Sequence, residues 1–324
     1  MKFFWIMLGV IAFLALFALA VSLYCFFRIF YSPKRKAPAP DEYALPNGGI
    51  YEPFRESMFA WMKEARQMPH EDMAIRSFDG LTLRGRYYEC SPGAPIELMM
   101  HGYRGDSERD LCGGIQRCFS LRRNALVVNQ RAAGDSDGNV ITFGINERKD
   151  CLSWVQFMIG HFGKDVKIIL TGISMGATTV LMAAGMELPK NVIGVIADCG
   201  YTCPRDIIKK VMRDMKLPVE VLYPFVKWGA RFFGKFNLEE CSATDALKNC
   251  RVPVIIFHGE ADAFIPCKMS KINYAACAAP KKLYTVPGAG HGLSYPLDQD
   301  GYLNALREME KLYDLPQTPI PATT

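Results

Sequence analysis

The sequence predicts an α/β fold, a mostly parallel sheet with helices on both faces, preceded by one membrane-crossing helix. Three observations predict it. From Phe3 to Phe27 no residue carries a charge. Farther along, short apolar runs without polar alternation recur at "IELMM", "ALVVN", "KIILTG", "VIGVIAD", "VPVIIFHG" and "KLYTV". Between those runs lie segments long enough for helices, such as Asn146–Phe162 and Ala177–Met186. A strand buried on both faces reads as a continuous apolar run, and the crossovers that join parallel strands bury those faces with helices.

The N-terminal run of about 25 residues, at ~1.5 Å each, spans the ~30 Å hydrocarbon layer with some tilt. A cleavable signal has an apolar stretch of only about 7–15 residues. Ala18-Leu19-Ala20 imitates a cleavage site, yet the apolar run continues through Phe27, and Leu23-Tyr24 before Cys25 lacks the small residues of a lipoprotein site. An anchor over 1–31 is expected. Arg28, Lys34, Arg35 and Lys36 follow it and only Lys2 precedes it, so the positive-inside bias places the body in the cytoplasm. The 11 cysteines are odd in number and scattered, with no C-x-x-C pair, as expected of buried thiols in a reducing compartment.

At 324 residues the chain can bury a substantial core. The net charge of +5 has no long basic run behind it, so nucleic acid is not an expected partner. The Pro-rich, charged stretch over 32–49 reads as a linker, and the body as 50–324. It opens with Phe54, Met58, Trp61, Met62 and Ala65 at helical spacing, a stripe for packing. Next, "MAIRSFDGLTLRGRYYE" alternates around Phe78-Asp79-Gly80, which predicts a hairpin. From about 204 to 247 the strand rhythm stops, and "PRDIIKKVMRDM" and "EVLYPFVKWGARFFGKF" are amphipathic. They are either two packing helices or a helical cap that lends apolar walls to a site.

Two stretches match G-x-S-x-G, centred on Ser136 and Ser174. Ser174 follows the apolar strand "KIILTG" and precedes a small-residue helix start. A serine at a tight strand-to-helix reversal needs Gly172 and Gly176 beside it, because β-carbons there would clash. The helix N-terminus then directs its N–H groups at the nucleophile. Ser136 lies in a polar loop between Asp135 and Asp137, whose carboxylates oppose an oxyanion. A serine nucleophile needs a base and an orienting acid. His291 sits in the glycine-rich "VPGAGHGLSYP" after the last apolar strand, and Asp262 lies three residues past "VPVIIFHG", with Glu260 as the alternative acid. Two backbone donors are expected for an oxyanion: the N–H of Met175 and, from the loop "MMHGYRGD", the N–H of Tyr103. His101 in that loop is expected to stabilise it without transferring protons.

With H-G-Y-x-G, "NQRAAGDSDG", "GISMGA", "HGEADAFIP" and "GAGHG", the body from about Asp72 to Leu312 resembles the α/β-hydrolase superfamily. Within it the likeness is to membrane-tethered α/β-hydrolase-domain proteins of the serine-aminopeptidase-like and acylglycerol-lipase-like group. The order Ser174, Asp262, His291 is that family's chain order. The resemblance implies that Arg131–Gly138 is structural, although Ala132 and Ala133 replace the usual glycine and histidine, and that 204–247 is the inserted cap. A membrane-anchored serine hydrolase is expected, acting through Ser174, His291 and Asp262 on an ester or thioester of an acyl, lipid-like substrate, with no metal or organic cofactor. A peptidase or amidase on the same triad, and a non-catalytic binding protein of this fold, are the alternatives.

Overall fold

The computed structural model describes residues 1–34, 39 and 41–312, so 35–38 and 40 of the expected linker, including Arg35 and Lys36, and the C-terminal 313–324 lie outside the described residues. Helix α1 (Lys2–Ile29) is long and apolar enough to cross a membrane. A 3₁₀ turn (Gly49–Phe54) leads into α2 (Arg55–Gln67), which buries Met58, Trp61, Met62 and Ala65 beside α3 (Ser107–Ser120). That stripe packs on the body.

Strands β1 (Glu71–Arg76) and β2 (Thr82–Tyr88) form the expected hairpin, with Arg76 opposite Thr82 and Gly80 at φ 88° in the turn. They continue into β3 (Ile96–Met100), β4 (Asn124–Asn129), β5 (Ile168–Ile173), β6 (Val192–Asp198), β7 (Val254–Gly259) and β8 (Lys281–Val286). The eight strands form one sheet in the order β1-β2-β4-β3-β5-β6-β7-β8, with β2 antiparallel to both neighbours and β3 to β8 all parallel. Strands β3 and β7 are buried at every residue, as runs without polar alternation require, whereas β8 is half exposed because it is an edge. Crossovers are helical: α3, α4 (Glu147–Phe162), α5 (Met175–Ala183) and α9 (Cys267–Ala276), with α10 (Ser294–Leu297) and α11 (Gln299–Leu312) following β8.

The "IELMM" run hides a carboxylate at its second position. Glu97 is fully buried, pairs with Arg117 of α3 and with Arg123 (2.5 Å), and accepts from Thr171 of β5 (2.9 Å). Arg123 also pairs with Glu310 of α11, so one buried network ties the central strand to the last described helix. Burial raises the Glu97 carboxyl, but the two guanidiniums outweigh it and hold the group below its ordinary range.

Between β6 and β7 the chain is helical: α6 (Pro204–Asp214), α7 (Val219–Trp228), a π-helical turn (Gly229–Phe233) and α8 (Ala243–Leu247). Both α7 and the π turn lie against α1.

Candidate active site

Parallel strands present their C-terminal ends on one side of a sheet, and ligands of such sheets bind outside that edge. The residues singled out above meet there. Ser174 stands between β5 and α5 at φ 57° and ψ −117°, a left-handed conformation for a residue with a β-carbon. The reversal is possible because of its two glycines. A Cβ on Gly172 would lie 2.2 Å from the Gly176 backbone, and one on Gly176 would lie 2.0 Å from the Met100 carbonyl oxygen. Ser174 donates its N–H to Asp198 at the end of β6 (2.8 Å), which pins the turn to the neighbouring strand.

His291 Nε2 lies 2.9 Å from Ser174 Oγ, and its Nδ1 lies 2.7 Å from Asp262 Oδ2. A carboxylate only accepts, so Nδ1 carries the proton and Nε2 is left to accept from the serine hydroxyl. Asp262 is held from its other side: Oδ1 accepts the N–H groups of Phe264 (2.9 Å) and Ile265 (2.8 Å). Burial raises the Asp262 carboxyl, yet hydrogen bonds from His258 and His291 win and hold it well below the usual carboxylate range. Glu260, the alternative acid, bonds Thr285 Oγ1 instead (2.8 Å).

Met175 begins α5, so its N–H has no acceptor within the helix. The loop after β3 runs beside the serine: a Cβ on Gly102 would be 3.5 Å from Ser174 Cβ, and Tyr103 is the next residue. His101 is buried in this loop. It accepts the Gln130 N–H on Nε2 (3.0 Å) and bonds Gly102 O through Nδ1 (2.7 Å), and desolvation depresses its pKa. Such a histidine is a neutral brace. Ser136 is equally committed, donating to Asn129 O (2.6 Å) and accepting from Arg84 N–H (2.9 Å). It lies in a turn and not at a strand end.

Several supporting residues had no signal in the sequence. Asp110 of α3 accepts the Gly102 N–H (3.0 Å) and thereby holds the loop after β3. Tyr51, from the 3₁₀ turn, donates its hydroxyl to the His291 carbonyl (3.0 Å). His258 contacts Ile265 O (2.8 Å) and Asp262 Oδ2 (3.3 Å) through Nε2, and so steadies the acid loop from inside. Each is an ordinary residue type whose partner lies far away or across a turn, so spacing alone cannot reveal it.

The thiol of Cys199, the Asp262 carboxylate and the His291 ring present donor atoms within 4.8 Å of one another. Burial pushes the Cys199 thiol well up, and the other two are bonded to each other and onward to Ser174. The set is therefore arranged to hold a proton, and a metal would need a thiolate that burial disfavours.

No protein-family model matches the chain. The uncharacterized protein YqkD of Bacillus subtilis is 26% identical over 191 residues, a match spanning 59% of this chain and 63% of that protein. The Pyrococcus furiosus esterase Pf2001 superposes with a TM-score of 0.64 at 18% identity, covering 86% of this chain and 99% of its own. Mouse alpha/beta hydrolase domain-containing protein 10 superposes with a TM-score of 0.55 at 19% identity, covering 75% and 99%. Both structural likenesses are of fold.

Proposed function

We propose that this chain, which has the α/β-hydrolase fold, is a membrane-anchored serine hydrolase that cleaves a carboxylic ester or thioester. The observation that carries the reading is the unbroken line from Asp262 through His291 to Ser174, with hydrogen bonds of 2.7 and 2.9 Å. In this reading Ser174 Oγ attacks the acyl carbonyl as its proton passes to His291 Nε2. Asp262 holds the imidazole in the required tautomer and stabilises the imidazolium. The N–H groups of Met175 and Tyr103 receive the oxyanion, the assignment to Tyr103 being favoured because Gly102 gives its own N–H to Asp110. His291 then protonates the leaving group, and water, activated by the same imidazole, releases the acid from the acyl-enzyme. Likeness to a protein named an esterase supports an ester over an amide. The uncharged run of α1 supports an anchor, and Arg28 and Lys34 after it support a cytoplasmic body.

A fluorophosphonate probe tests the reading. Wild type and Ser136→Ala are expected to label, and Ser174→Ala is not. An unlabelled wild type, or normal labelling of Ser174→Ala, overturns the assignment. Esters of p-nitrophenol with rising chain length, run beside aminoacyl anilides, then test the substrate class, and preference for anilides rejects the ester.

A further inference from the structure

Helix α1 is longer than a bilayer needs, and its surplus is docked. Its 28 residues at ~1.5 Å each extend about 42 Å, against a hydrocarbon layer of ~30 Å. Up to Val21 the helix is exposed nearly all round, whereas Ser22, Cys25 and Phe26, together with Phe30 just past its end, form a buried stripe at helical spacing. The first 20 helical residues alone therefore match the hydrocarbon thickness, and Ser22 marks the depth at which the body begins. At that depth Gly229 of the π turn meets α1, where a Cβ would lie 2.6 Å from the Ser22 carbonyl oxygen and 3.2 Å from Phe26 N. The missing side chain lets the two helices touch backbone to backbone.

Around that contact the body exposes apolar side chains. Val221, Trp228 and Phe232 are 64%, 44% and 62% exposed, and Phe225, partly buried, completes their spacing of i, i+4, i+7 and i+11 on α7 and the π turn. Met215 and Leu217, just before α7, are exposed too. In water such a stripe has no compensation, and tryptophan with phenylalanine at a membrane's polar boundary has a physical one. Arg28, Arg231 and Lys235 are exposed beside it, as an anionic surface requires.

We propose that the exposed stripe of α7 and the π turn is seated in the lipid interface, so that the candidate site takes its acyl substrate from the bilayer itself. This rests on reading α1 as a membrane span, and its substrate clause on the serine-hydrolase reading. The anchor ends at the rim of the site: Tyr103 donates its hydroxyl to Ile29 O (2.6 Å), and Arg104 donates to the Arg28 and Tyr31 carbonyls (3.0 Å each). Phe143 bridges Phe30 and Tyr103, with ring centroids 5.8 and 5.0 Å away. The loop beside Ser174 is thus one tyrosine side chain from the end of the anchor helix, seven residues or about 10 Å beyond Ser22.

The test uses full-length protein in vesicles of phosphatidylcholine with phosphatidylglycerol, brominated on the acyl chains near the glycerol. Of the four tryptophans, Trp61 and Trp154 are buried in the body, so a Trp5→Phe background isolates Trp228. Its emission is expected to fall at least twofold, and the fall to vanish in Trp5→Phe/Trp228→Phe. Unchanged emission overturns the proposal, including the case in which cross-linking finds a second copy over the stripe. Trp5 in a Trp228→Phe background reads the span separately, through quenching by bromines placed deeper in the chain. Phe232→Glu is expected to lower hydrolysis of a vesicle-borne long-chain ester at least fivefold while leaving p-nitrophenyl acetate unchanged. Equal loss on both substrates, or on neither, rejects the substrate clause, whereas a wild type inert toward both rejects the hydrolase reading and leaves the quenching result standing.

Discussion

Replacing Gly176 by alanine puts a β-carbon where the end of β3 already is. The added atom would lie 2.0 Å from Met100 O, 2.5 Å from Met100 C and 2.7 Å from His101 O, where ordinary contact begins at 3.4 Å. All three are backbone atoms, so no rotamer relieves the overlap, and α5 must part from the central strand by about 1.4 Å. Overpacking of a rigid interior costs about 1–3 kcal/mol, and here the upper end applies. The displacement opens between Met175 on one side and the Gly102-Tyr103 loop on the other, which carry the two proposed oxyanion donors. A misplacement of about 1 Å in a reacting site costs on the order of 10²-fold, and a lost oxyanion donor about 10²–10³-fold in kcat. Gly176→Ala is therefore expected to lower the apparent melting temperature by several degrees and kcat by at least about a hundredfold. Circular-dichroism melts in detergent and p-nitrophenyl ester turnover measure the two effects. Gly160→Ala is the control, since no atom lies within 4 Å of its added carbon and Gly160 is on the exposed side of α4. A Gly176→Ala protein that melts within a degree of wild type and keeps a third of its kcat refutes the reasoning.

Asp262→Asn keeps the shape of the acid but lets the imidazole adopt the wrong tautomer, so kcat should fall on the order of 10⁴-fold with KM little changed, read by steady-state kinetics. The same carboxyl sits well below its ordinary range when folded, so its contribution to stability is fully present above its unfolded pKa of ~3.9 and is lost as pH falls toward the folded value. Wild type should accordingly lose stability below about pH 4 more steeply than Asp262→Asn in pH-dependent melts, and parallel curves contradict this. Glu97→Gln leaves Arg117 and Arg123 buried without their carboxylate, and a denaturant titration should show a loss of about 3–5 kcal/mol.

The α/β architecture was legible because burial on two faces leaves a mainly apolar run without polar alternation in each central strand, and β3 and β7, buried at every residue, show it. Ser174, Asp262 and His291 were legible because parallel strands all end on one side, so residues just past "KIILTG", "VPVIIFHG" and "KLYTV" are brought together whatever their separation in the chain. The same logic set Ser136 aside, since its pattern starts beyond a strand end inside an acidic turn. Asp110, Tyr51 and His258 were not legible, because each acts through one hydrogen bond set by packing and leaves no periodicity. The pairing of Glu97 was not legible either, because its two arginines, 20 and 26 positions away, are brought over it only by the fold.

By itself the sequence determined the alternation of strands and helices, the length of the N-terminal apolar helix and the three residues now aligned at 2.7 and 2.9 Å. These follow from local spacing and from the direction of a parallel sheet. Only the tertiary structure decided that α1 gives up its last turns to the body, that Gly229 admits it, and that its end meets Tyr103. Contacts between segments some 75 to 205 positions apart carry no local pattern, because their energy exists only once both surfaces are formed.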